Sequence, residues 1–146
     1  MAIRIPTDQI QNLQQIEAAV AGPDGANRLF TITGRLNAAV QVFSQGAGQV
    51  QQKETFTVLI GPVLTRQQFF RAIGTVSLAN TSVTQQQAAA PLSVGWSIAG
   101  IDADWDDESG QVELRVEVSV NVSGLNNFAQ INGLAFHVTI LAAVEN

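Results

Sequence analysis

The amino-acid sequence predicts a mainly β fold: an antiparallel β-sandwich carrying an N-terminal helix and one short internal helix, with an α+β layer as the alternative. Three observations lead there. From residue 30 onward, apolar side chains recur at every second position in segment after segment, the period of a half-buried strand. One such segment is unbroken: Val112, Leu114, Val116, Val118, Val120 and Val122 fill one face, while Glu113, Arg115, Glu117, Ser119 and Asn121 fill the other. At ~3.3 Å per residue this row runs ~36 Å, where an ordinary strand runs ~17–20 Å, so a partner of equal length must lie on its dry side. Two packed sheets provide that partner. With 146 residues, 46% hydrophobic and 13% charged, the chain has the size of a single domain, 1–146, and is too apolar for a disordered one.

The elements follow in order. Ile10, Leu13, Ile16 and Val20 recur at helical spacing, with Thr7 or Asp8 as N-cap and Gly22-Pro23 as the stop, and predict a helix over residues 8–21. The period then changes to two. Phe30, Ile32, Leu36, Ala38, Val40 and Val42 share one parity that Gly34 interrupts, which predicts one long strand bent at Gly34 or two strands. Phe56, Val58 and Ile60 alternate in the next strand, which Pro62 ends because its nitrogen has no proton to donate. Thr65 and Gln68 have the spacing of a capping box and predict a short helix closed by Gly74, followed by a strand over residues 75–84, while the alternation of Phe70, Ala72, Val76 and Leu78 is the competing strand reading of the same stretch. The low-complexity run 85–91, ending in Pro91, reads as a loop. Ile101, Ala103 and Trp105 alternate in a strand over 93–105, which turns through Asp106-Asp107-Glu108-Ser109-Gly110 into the valine row and pairs with it antiparallel. A last strand, 128–144, places Leu134, Phe136, Val138 and Ile140 on one face and breaks pattern at Leu141-Ala142-Ala143, leaving a C-terminus more apolar than a free tail needs.

Charge and composition narrow the function. Seven basic residues against twelve acidic ones give a net charge of −5, which lacks the cationic surplus that displaces counterions from nucleic acid. The absence of cysteine removes disulfides, thiol catalysis and thiolate metal sites. No window reaches the eighteen or so apolar residues of a membrane span, and the first residues hold no apolar stretch of signal-peptide length, so a cytoplasmic location is expected. Two Asn-X-Ser/Thr triplets, at Asn80 and Asn121, are common by chance and carry no weight without secretion.

The densest ionisable group is Asp102-Ala103-Asp104-Trp105-Asp106-Asp107-Glu108. As a calcium loop, Asp102, Asp104 and Asp106 match the first alternating ligand positions and Glu113 the terminal bidentate one. Asp107 stands where that loop needs glycine, and the flanks read as strands, so an EF-hand is not expected. A hairpin site for Ca²⁺ built from Asp102, Asp104, Asp106, Glu108 and Glu113 is the candidate metal centre, against a solvated turn as the plainer reading. Gly95-Trp96-Ser97-Ile98-Ala99 has a loose nucleophile-elbow look, and Ser97, the acidic run and His137 follow a hydrolase chain order. The strand-to-helix context of that motif is missing, so no catalytic residue is assigned. His137 lies between inward-facing positions and points outward. Both tryptophans belong in the core or at its edge.

These observations lead to a non-enzymatic structural or interaction protein, a homo-oligomer that associates through apolar strand faces or edges. They fit the long dry strand, the sparse charge and sixteen glutamines that supply polarity without it. A small ligand-binding module with a calcium-holding acidic hairpin is the alternative.

Overall fold

The structure, a computed structural model, describes residues 2–22, 25–46, 48–85 and 93–143. The described residues form nine strands: β1 (Ala2–Ile5), β2 (Gln11–Gly22), β3 (Gly25–Leu36), β4 (Val40–Ser44), β5 (Gln49–Ile60), β6 (Phe69–Gln85), β7 (Ser93–Trp105), β8 (Val112–Ser123) and β9 (Asn127–Ala143). All six alternate apolar residues of β8 are buried, as one-sided alternation requires. They face β9, whose Leu134, Phe136, Val138 and Ile140 are buried in turn. Each of these strands is an interior member of one of two packed sheets. One sheet runs β1-β5-β8-β7. The other runs β2-β3-β9-β6, with β4 continuing the line of β3 along the same edge of β9. Along one side of the sandwich β6 and β7, an edge strand from each sheet, pack against each other.

The β-sandwich is therefore present, with departures in four places. No α-helix spans 8–21: a 3-10 turn at Thr7–Gln9 leads into β2, which pairs antiparallel with β3 until Gly22 lies opposite Gly25. The ladder with β3 pairs one side of this segment's backbone and overrides its helical spacing. The internal helix is likewise replaced. Thr65 and Gln68 do form the reciprocal bonds of a capping box, Thr65 N–H to Gln68 Oε1 at 2.9 Å and Gln68 N–H to Thr65 Oγ1 at 3.2 Å, but they close a single turn before β6 begins at Phe69. The third departure is β1, which runs parallel to β5 while all other paired strands are antiparallel. The last is the break in the 30–42 segment. It falls between Leu36 and Val40, and Gly34 stays within β3, where Ile10 and Phe136 take the space a side chain would need.

Alternation in β9 does not stop at Leu141: Ala142 is buried between half-exposed neighbours, and the strand ends flanked by β3 and by the start of β6. Its apolar end is thus the middle of a sheet. The predicted loop 85–91 lies outside the described residues except for Gln85, the last residue of β6. Among the described residues no helix is long and apolar enough to cross a membrane.

Candidate functional site

The acidic hairpin joins β7 to β8. Register places Asp102 opposite Arg115 and Asp104 opposite Glu113, both pairs on the solvent face because Ile101, Ala103 and Trp105 take the alternate positions. Glu113 forms an ion pair with Arg4 of β1, two strands away. Asp106 turns its carboxylate back on the loop, where one oxygen accepts both the Ser109 hydroxyl at 2.7 Å and the Ser109 N–H at 3.0 Å. Glu108 is exposed at the tip. Among the described residues no group of three or more His, Cys, Asp or Glu side chains comes together to hold a metal ion. The predicted ligand set is spread along a strand, a turn and a neighbouring strand, and two of its members already have partners.

Hydrogen bonds from the Ser109 hydroxyl, then from its N–H, hold Asp106 below the ordinary aspartate range. The folded value therefore lies below the unfolded one. Ionised Asp106 adds stability above its unfolded value, and that contribution is lost as pH falls through the folded one. In Ser109→Ala the hydroxyl donor is gone. Asp106 is then expected to titrate closer to free aspartate and the acid-side contribution to shrink, as a carbon-detected NMR titration of its carboxylate would show; an unmoved Asp106 would assign the shift to another cause.

The tip is tied to the rest of the molecule by Trp105. Its indole N–H donates to Leu64 O at 3.0 Å and Gly110 O at 3.1 Å, while the Arg66 guanidinium stands 5.9 Å from the ring centroid, within cation–π range. Trp96 is half-buried too and donates to Gln130 O at 3.1 Å across the sandwich. Both rings serve as sheet-to-sheet or loop-to-hairpin ties.

The hydrolase arrangement does not assemble. Ser97 pairs with Ser119, off the core parity of β8, and so looks out from the four-stranded sheet, whereas His137 is exposed on the outer face of the other sheet. The whole sandwich separates them.

A different feature stands out at the far edge. In β2 every residue from Gln11 to Ala21 is exposed, including Leu13 at 44%, Ile16 at 66% and Val20 at 38%. Among the described residues this strand is hydrogen-bonded on one side, to β3. The register carries its apolar residues into the outer face of the sheet. Ile16 lies in a row with Thr31, Thr139 and Ile73, and Ala18 in a row with Leu29, Leu141 and Arg71. The outer face of the other sheet is different in kind, with Arg4, Lys53, Asp102, Asp104, Glu113, Arg115 and Glu117 projecting from it. One broad face carries both carboxylates and cations, and the opposite one presents aliphatic and threonine side chains together with Arg35, Arg71 and His137. Helical spacing places Ile10, Leu13, Ile16 and Val20 on one helix; the edge strand that Leu13, Ile16 and Val20 occupy instead is what that reading misses.

Comparison with known proteins finds no matching family model, no matching curated protein and no matching solved structure.

Proposed function

We propose that the protein is a non-enzymatic assembly subunit, a β-sandwich that associates with further copies of itself at the β2 end of its larger sheet. The observation that carries this reading is the exposure of β2 along its whole described length, apolar residues included. A long strand with an unpaired row of N–H and C=O groups is a template for another strand, and folded proteins normally blunt such edges with lysine, proline, bulges or brevity. Exposed Ile16, Val20 and Ile73 on one outer face, with carboxylates concentrated on the other, is a distribution that favours hiding the first in a complex. Among the described residues, Ser97 and His137 stand on opposite outer faces and Asp106 and Glu113 are used internally, which speaks against that hydrolase set. A net charge of −5 gives phosphates little to bind.

Native mass spectrometry or multi-angle light scattering at micromolar concentration tests the proposal. The expected result is a mass at least twice the 15.5 kDa of the chain. A single species at the monomer mass under those conditions would overturn it.

A further inference from the structure

Resting on the self-association reading, we infer how the copies join: β2 pairs antiparallel with β2 of a second copy, about a two-fold axis through Ala18, so that the two larger sheets become one. Between Gln14 and Gly22 the strand pairs with β3 in unbroken register, its one irregularity lying between Gln11 and Gln14. This stretch holds no lysine and no proline, and its single charge is Glu17. Of the features that keep a further strand from adding, lysine, proline and a bulge are missing from this stretch, and the one charge, Glu17, on the inner-face parity opposite Phe30, is already paired with Arg28.

Symmetry then selects the register. Two identical antiparallel strands are related by an axis perpendicular to the sheet, which keeps outer faces outward, and residues directly opposite each other share a face. The two residue numbers in any pair must therefore sum to an even value. A two-fold axis through Glu17 sets that carboxylate against its own copy, like charges directly opposite, which is destabilising. An axis through Ile16 brings Val20 against Asn12, which sits at the strand irregularity in the left-handed region with φ of 54°. An axis through Ala19 sets Gln14 and Gln15 against positions past Gly22, where β2 ends. An axis through Ala18 pairs the entire regular stretch, Gln14 to Gly22. It places Ile16 opposite Val20 on both sides of the axis and Glu17 opposite Ala19. Each Glu17 keeps the ion pair it already has with Arg28, at 2.9 Å. The four aliphatic side chains that meet around the axis on the outer face are those that β2 leaves exposed alone.

Because the chain has no cysteine, single introduced thiols report this geometry directly. Opposite residues lie ~4.5–5.5 Å apart at Cβ, within reach of a disulfide or a short bis-maleimide. Ala18→Cys is expected to give a covalent dimer on mild oxidation or cross-linking. Ile16→Cys alone is expected to give none, whereas Ile16→Cys mixed with Val20→Cys gives the mixed dimer. Ile16→Lys, which adds the residue that protects edge strands, is expected to weaken association at least about tenfold. If the protein is multimeric but Ala18→Cys fails to cross-link and Ile16→Lys leaves the mass unchanged, this pairing is overturned and self-association stands. A protein that is monomeric throughout overturns both.

Discussion

Ile140→Ala is expected to destabilise the fold by about 2–5 kcal/mol, a large part of the ~5–15 kcal/mol that holds a typical domain together. Ile140 is fully buried in β9, the strand flanked by β3 and β6. Its register partners are Phe30 on one side and Ala72 on the other, so it lies at the centre of a row that crosses the sheet beneath the opposite layer. Removing its three outer carbons costs their transfer from water and leaves a cavity, because neighbours held in two hydrogen-bonded ladders cannot move in to fill it. Ile73 is the internal comparison. It lies on β6, adjacent to Thr139, but looks outward, so Ile73→Ala is expected to stay within about 0.5 kcal/mol of the parent. Urea unfolding of the two variants, read as a midpoint shift at constant slope, separates the cases. Equal midpoints for both would mean that the inner row is not the structural core.

The same contrast explains how much the sequence disclosed. The β8 row was legible because burial on one face and water on the other each constrain alternate residues, and the β7–β8 pairing followed from the short loop between them. The outward placing of Asp102, Asp104 and His137 needed only parity. In β2 no such constraint operates. Neither face is covered by the second sheet, so Gln15, Glu17 and Ala19 stand where core residues would otherwise be required, and the remaining apolar positions happen to match a helix. At Thr65–Gln68 the local bonds of a helix start do form, yet the edge of β9 offers the following residues a full ladder and extension wins. The parallel pairing of β1 was beyond reach for another reason: four residues, Ala2–Ile5, carry no mark of a partner strand some fifty positions away. At the acidic hairpin the residue types were read correctly, but their distribution depends on which carboxylate finds a donor first. Asp106 finds Ser109 three residues on, and Glu113 finds Arg4 from the opposite end of the chain.

Gly110→Ala is expected to cost about 2–5 kcal/mol, a second large effect from a single methyl group. Gly110 has φ of +76°, where a residue with a side chain pays about 1–3 kcal/mol in backbone strain. Space is closed as well: a Cβ there would stand 2.9 Å from Val63 Cγ1 and 3.1 Å from Leu64 O, and the second of these is backbone that cannot swing aside. The position is also a junction. Its N–H donates to Asp106 O at 2.8 Å, and its carbonyl accepts from Leu64 N–H at 2.7 Å and from the Trp105 indole at 3.1 Å. Pushing the backbone out of the left-handed region would break the hairpin turn and the tie to the 61–68 segment together. The variant should therefore show both a lower urea midpoint and a red-shifted, more exposed tryptophan emission, since Trp105 loses its shared acceptors. Gly48→Ala, with nothing within 4 Å of the added carbon, should leave both unchanged. If Gly110→Ala unfolds at the parent midpoint with unaltered fluorescence, the turn tolerates a right-handed backbone and the hairpin tip is not anchored through this residue.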